Sequence, residues 1–196
     1  MFILFDTLVA QHKVEKLKTL GDCYVVSSGV LTSSPDHAEA TCATAAGMQQ
    51  ALDLVNQRFS LQLQIRIGMH SGPVVGGVIG SKKFTFDLWG RTVEYANLME
   101  KEGVPGRINL SEETYLQAKK SPLLHFEDRG EVGIGSEGSF ARMYLLSEAN
   151  QCDPRFGLLA EQEAMYGAIA EQSHLMMGEG HPSEVDELQP GARFTV

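Results

Sequence analysis

Residues 14–29, VEKLKTLGDCYVVSSG, constrain this chain most, because they read as two β-strands joined by the two-residue loop Gly21-Asp22. A glycine in that loop accepts the positive φ that a primed hairpin turn needs. Alternation predicts Leu17 and Thr19 on one side of the first strand, with Lys16, Lys18 and Leu20 on the other. The return strand is short and apolar at Tyr24, Val25 and Val26. The hairpin tip therefore presents one carboxylate, Asp22, with the ammonium of Lys18 four residues back. Taken alone, these are the marks of an ordinary hairpin with an acidic turn and a solvated lysine face.

A chain of 196 residues, 43% hydrophobic and 21% charged, is long enough to bury a full core. Its net charge of −9 argues against nucleic acid and against anionic membrane surfaces as partners, so a phosphate ligand would need a local cationic pocket. Cys23, Cys42 and Cys152 are odd in number and widely spaced with no CxxC, which fits a reducing compartment and no disulfide or zinc framework. No apolar run approaches the roughly 20 residues needed to cross a bilayer, so no membrane insertion by this chain is expected. The opening MFILFDTLVAQHK lacks a basic start and a small-residue cleavage site, unlike a signal peptide. The expected location is cytoplasmic, either free or as the cytosolic part of a larger membrane protein.

Along the chain, Phe2, Leu4, Phe5, Leu8 and Val9 have helical spacing, and the segment reads as the second half of a longer helix. Asp36 is placed to cap a helix from His37 to about Arg58, with a buried stripe of Ala43, Ala46, Gly47, Ala51, Leu54 and Val55. Leu61 to Met69 alternates as LQLQIRIGM, the pattern of a half-buried strand. HSGPVVGGVIG turns at Ser71-Gly72-Pro73 into a strand from Val74 to Ile79, and its glycines leave backbone open to close approach. A helix from Thr92 to Lys101 follows, ended by Gly103 and Pro105. Then come a strand at Arg107 to Leu110, a short helix opened by Ser111, and strands near Leu123 to Val132 and Phe140 to Leu146, joined by the loop GIGSEGS. Asp153-Pro154 predicts a further helix with Leu158, Leu159, Met165, Ile169 and Met176 as its stripe. From Gly178 the polar composition predicts a disordered tail. The expected organisation is a strand-rich α+β domain at 1–148, a helical appendage at 149–177 and the tail at 178–196.

Three segments, VEKLKTLGDCY, LQIRIGMHSGPVVGGVIGSKKFTFDLWGRTVEYANLMEKEGVPGRINLSEETY and FEDRGEV, together resemble the catalytic domain of class III adenylate and guanylate cyclases from Met1 to Leu146. The resemblance implies a ferredoxin-like βαββαβ core with an antiparallel sheet, its first strand missing here, plus the C-terminal helix and tail. A missing central strand would leave unpaired backbone on both neighbours. The resemblance also implies head-to-tail pairing of two domains, with the active site between them. There the ribose 3′-hydroxyl attacks the α-phosphate and pyrophosphate leaves. Two divalent ions, Mg²⁺ or Mn²⁺, held by aspartates, lower the hydroxyl pKa and neutralise charge.

By that resemblance Asp22 matches the second metal-binding aspartate, and Arg66 an arginine that contacts the triphosphate. Lys18 and Asp87 match the pair that reads adenine, which implies ATP rather than GTP as substrate. The asparagine and arginine of the transition-state pair fall at Glu94 and Leu98. Glu94 is an acceptor that would repel phosphate and Leu98 has no donor, so no catalytic residue is assigned to this chain. The family's late phosphate-binding lysine falls near Gly135. The first metal aspartate belongs to the strand that is missing here, so the metal side keeps Asp22 and Arg66 while the transition-state residues are absent, a pattern that resembles the first domain of heterodimeric adenylyl cyclases. A homodimer would carry the same two defects in both sites, so a complementary cyclase domain is the implied partner and the chain alone is expected to be inactive. The other reading is a non-catalytic pseudo-cyclase that dimerises or binds nucleotide.

Other candidates have simpler explanations. His70, on a strand ending in Ser-Gly-Pro, suits a structural role better than that of a general base. Lys82 and Lys83 fit a solvated loop as well as a phosphate site. Glu112 and Glu113 favour a helix N-terminus rather than forming a catalytic pair. Trp89 suits packing at a dimer face.

Overall fold

The computed structural model of the chain describes residues 1–135, 138–159, 162, 164, 167 and 168, together with the backbone of 192–195. The hairpin forms as its turn chemistry requires: β1 (Glu15–Leu20) and β2 (Cys23–Ser27) pair antiparallel around Gly21, whose φ is +60°. Before it lies α1 (Phe2–Gln11), which buries Phe5 and Leu8, and after it α2 (His37–Phe59), whose buried alanines and Gly47 permit close packing. Then follow β3 (Ile65–Met69), β4 (Val75–Ile79), β5 (Thr85–Trp89), α3 (Arg91–Lys101), β6 (Ile108–Ser111) and α4 (Glu112–Ala118). The series ends with β7 (Phe126–Ile134), β8 (Ser139–Leu146), α5 (Glu148–Gln151) and β9 (Ala192–Thr195).

The α+β class holds. Seven strands form one sheet in the order β1-β2-β9-β3-β6-β8-β7, and β4 and β5 form a separate two-stranded arm. The sheet is mixed rather than wholly antiparallel. β9 runs parallel to both β2 and β3, and β3 runs parallel to β6, whereas the β1–β2, β6–β8 and β7–β8 pairs are antiparallel. The neighbours of a missing central strand were expected to carry unpaired backbone. Instead β9 lies between β2 and β3 and takes up their facing edges.

The two faces of β3 and β6 carry different chemistry. Ile65, Ile67 and Met69, with Ile108 and Leu110, enter the main core beside Phe5, Leu8 and the small residues of α2. The alternate residues meet α3. At Gly68 an added Cβ would stand 1.9 Å from the backbone nitrogen of Glu100, so only glycine lets helix and strand approach this closely. Asn109 is fully buried and donates to the Met99 carbonyl at 2.8 Å, and its Oδ1 accepts from Arg129 at 2.8 Å. Met99, Ile134 and Met143 form a second, smaller cluster on this side.

Several sequence expectations are corrected. β3 starts at Ile65 rather than Leu61, because the Asn56 side chain captures both the N–H and the carbonyl of Leu63, at 3.0 and 2.9 Å, and holds that stretch as a loop. Leu54 is exposed, not part of the buried stripe. Asp36 occupies the cap of α2 but its side chain makes no capping bond. No helix opens at Pro154. Residues 154–157 turn instead, and Phe156 and Leu158 are buried there. Gln11, His12 and Gln50 donate to the carbonyls of Gly157, Phe156 and Asp153, which ties this segment to α1 and α2. Helical backbone is next described at Gln162. Met165, Ile169 and Met176 lie outside the described residues, as does the tail apart from β9.

Candidate functional site

Simple alternation in β1 fails at one point that matters. The register shifts between Lys16, which faces Val26, and Lys18, which faces Val25. This bulge makes Leu17 and Lys18 both line one cleft. The cleft, of about 130 Å³, lies between the hairpin, the start of α2, the end of β3, β5 and the first turns of α3. Its inner wall is apolar, with Val26, Met69, Leu88 and Ala96.

Lys18 and Asp87 meet at this cleft. The Lys18 ammonium donates to both carboxylate oxygens of Asp87, at 2.7 and 2.5 Å, and the Leu88 N–H adds a bond of 2.9 Å. Both side chains are partly buried. The pair tacks the hairpin to the β4–β5 arm and joins two residues that the family resemblance assigns to base reading. The hydrogen bond from Lys18 holds the Asp87 carboxyl below the usual carboxylate range, more strongly than burial pushes it up. A depressed folded-state pKa contributes stability that is complete above the unfolded carboxylate value of about 3.9 and disappears as pH falls through the lower folded value. The pair is therefore intact at neutral and mildly acid pH. We expect Lys18→Met to raise the Asp87 titration point seen by carboxyl NMR; an unchanged titration would show that the two do not pair.

Asp22 is exposed at the turn beyond β1. Among the described residues no group of three or more His, Cys, Asp or Glu side chains is placed to hold a metal ion. The described residues do not fit a two-ion centre: Asp22 supplies one carboxylate, and among the described residues no ligand group is gathered around it.

Arg66 takes a place the sequence did not suggest. Alternation along β3 turns it toward α3, where its Nε donates to Glu100 Oε1 at 2.9 Å and a terminal nitrogen sits 2.8 Å from the same oxygen. Glu100 is 5% exposed, so this arginine satisfies a buried carboxylate. Glu100 was not anticipated, although a signal existed. It lies on the same helical face as Ala96 and Met99, and a carboxylate at a buried helical position calls for a cation opposite. Glu94 is exposed on α3, and Leu98 packs against the Met99 cluster. Neither offers a hydrogen-bond donor.

His70 also lines the cleft. Its Nδ1 lies 2.8 Å from the Ser111 hydroxyl and 3.6 Å from Glu113, and its ring is 5.1 Å from that of Tyr95. Burial lowers its pKa, with Glu113 opposing in part. Ser111 caps α4 by accepting the Thr114 N–H, which places Glu112 and Glu113 in that helix's first turn. Lys82 and Lys83 are exposed in the turn of the β4–β5 arm.

This α+β architecture has counterparts among known proteins. The family profile described as Adenylate and Guanylate cyclase catalytic domain matches residues 1–148, and the chain belongs to that family. It is 34% identical over 154 residues to an adenylate cyclase of Mycobacterium tuberculosis, a match covering 79% of this chain and 34% of the relative. It is 34% identical over 151 residues to guanylate cyclase soluble subunit beta-2 of Rattus norvegicus, covering 76% of this chain and 22% of that protein. The chain thus spans about a third or less of these relatives. Among solved structures, the guanylate cyclase domain of RhGC from Catenaria anguillulae in complex with GTP superposes with a TM-score of 0.66 at 26% identity, covering 74% of this chain and 79% of that one. No helix among the described residues is long and apolar enough to cross a membrane.

Proposed function

We propose that this chain is one half of a nucleotidyl cyclase that converts ATP to cyclic AMP and pyrophosphate, active only when a complementary cyclase domain and a second metal-binding carboxylate from outside the described residues complete its site. The observation that carries this reading is the Lys18–Asp87 pair at the cleft, since one donor and one acceptor side by side can address the adjacent amino and ring-nitrogen groups of a purine edge. Adenine offers the N6 amino donor beside the N1 acceptor and guanine the O6 acceptor beside the N1–H donor, so the pair can address either edge, and the assignment to adenine is what the family resemblance implies for these two side chains. The relatives include proteins named for both cyclases, and the preference for ATP over GTP rests on these two side chains alone.

The divalent ions belong to the completed site. Asp22 offers one carboxylate to them, and the remaining ligands must come from outside the residues described. Arg66 is engaged by Glu100, so contact with a triphosphate would require it to leave that partner. Glu94 and Leu98 supply nothing to a developing oxyanion, which supports a heterologous partner bearing asparagine and arginine at those places. The exposed apolar side chains of the β4–β5 arm, Val75, Val78 and Phe84 among them, suit a face that another domain covers.

A second reading, a non-catalytic module that dimerises or binds nucleotide, is favoured by the loss of donors at Glu94 and Leu98. Cyclic AMP formation with Mn²⁺, measured for the chain alone and for the chain with a domain carrying the asparagine and arginine, separates the two. We expect no product alone and turnover in the mixture. Folded protein that yields no product in either case would eliminate the enzyme and leave the module.

A further inference from the structure

One ring nitrogen of His70 is engaged and the other is open. The side chain is 10% exposed just beyond β3, and its ring lies 5.1 Å from that of Tyr95 on α3. Nδ1 is 2.8 Å from the Ser111 hydroxyl and 3.6 Å from the Glu113 carboxylate, both at the start of α4. A carboxylate only accepts, which favours the tautomer with its proton on Nδ1 and leaves Nε2 a bare acceptor. Among the described residues nothing bonds to Nε2. It sits beside Gly72, where an added Cβ would stand 3.5 Å from it and 2.7 Å from Thr92 Oγ1, so the glycine keeps its approach clear. His70, Gly72 and Thr92 line the same cleft as Lys18 and Asp87. Lys18 holds both Asp87 oxygens, whereas Nε2 has no such partner.

We infer that His70 is a specificity-determining residue of this cleft: its Nε2 accepts a hydrogen bond from the ligand and selects an amino group over a carbonyl at that point. The inference rests on the purine reading proposed above. With the six-position of the purine turned to Nε2, the group accepted is the N6 amino group of adenine and the group rejected is O6 of guanine. His70 thus decides what the Lys18–Asp87 pair leaves open, since that pair can address either edge. It does so with a lone pair and moves no proton. Burial holds the His70 pKa below the ordinary imidazole value, with Glu113 opposing in part. The other titratable groups around it are Tyr95 against the ring and Lys18, Asp87 and His37 along the cleft. The accepting form is therefore present at neutral pH and persists below about 6.5. Further acidification makes Nε2 a donor, which favours the guanine carbonyl instead.

Long-range proton–nitrogen NMR on the intact chain reads the ring directly. At neutral pH Nε2 should be unprotonated, and its resonance should shift on addition of adenosine, with the complementary domain present or absent. His70→Asn keeps an amide near the Nδ1 position and deletes the cleft-facing nitrogen. It should weaken adenosine binding about 10-fold, the scale of one hydrogen bond, and leave guanosine within about 2-fold. The native preference for adenosine should hold down to about pH 6.5 and decline below it. A protonated Nε2 in the neutral free chain, or an unchanged ratio of the two affinities in the variant, would overturn the inference and leave the proposed function standing. Binding of neither nucleoside, with or without the partner domain, would overturn both. Should the variant fail to fold, the tautomer and the adenosine-induced shift decide alone.

Discussion

Gly68→Ala should destabilise this domain by about 3–5 kcal/mol, the upper range for a single added methyl group. The reason is the identity of the atoms in its path. An added Cβ would lie 1.9 Å from the Glu100 backbone nitrogen, 2.4 Å from its Cα and 2.5 Å from the Met99 carbonyl carbon. Backbone in the last turn of a helix cannot swing aside as a side chain can, so the end of α3 must lift from β3. That displacement also strains the Arg66–Glu100 ion pair and the bond from Asn109 to the Met99 carbonyl. Gly77→Ala is the control, because its Cβ would meet only the Trp89 ring at 3.4 Å. Urea unfolding of both variants should shift the midpoint strongly for the first and by under about 1 kcal/mol for the second. Equal midpoints would mean that α3 does not lie on β3 as described.

Asp22→Asn should reduce partner-supported cyclic nucleotide formation by about 100-fold or more, the scale expected when a charged group at a reacting centre is neutralised. The substitution keeps the side chain's size and removes its negative charge, which is what a divalent ion would require of this position. Asp22 is exposed, and Gly21 rather than Asp22 carries the positive φ of the turn. Stability should therefore change by no more than about 0.5 kcal/mol. Melting temperature and turnover measured on the same preparation separate the two effects. Undiminished turnover would refute a metal role for Asp22, while a parallel loss of stability would assign the residue to the turn itself.

The hairpin was legible because its information is local: a glycine at the turn and apolar residues on the return strand. The same holds for β4, and for α3 with its following glycine. The Lys18–Asp87 contact joins residues 69 positions apart, and only the packed arrangement of β1 against the arm puts them together. The bulge that aims Lys18 into the cleft leaves no mark in an otherwise regular alternation. LQLQ at 61–64 satisfies the strand pattern perfectly and is still a loop, because one side chain, Asn56, outbids the sheet for the backbone of Leu63. Arg66 was read as a ligand contact from family resemblance, whereas its partner Glu100 was available from helical periodicity alone. β9 is the opposite case. Four residues after a stretch rich in Gly, Pro and Glu carry little strand signal of their own, and what makes them a strand is two neighbours with edges to satisfy.

The exposed apolar arm and the chain's overall charge act over different distances. Two copies, or a copy and an acidic partner, repel one another while still apart, since each chain of this kind carries a net −9. Only at contact do Phe84, at 72% exposure, and Val75, at 67%, gain from leaving water. Salt shortens the repulsion, to a Debye length of about 8 Å at 0.15 M, and leaves the apolar contact largely untouched. Association through the arm should therefore strengthen with ionic strength, making the ion content of the surroundings a colloidal control on how often two halves meet.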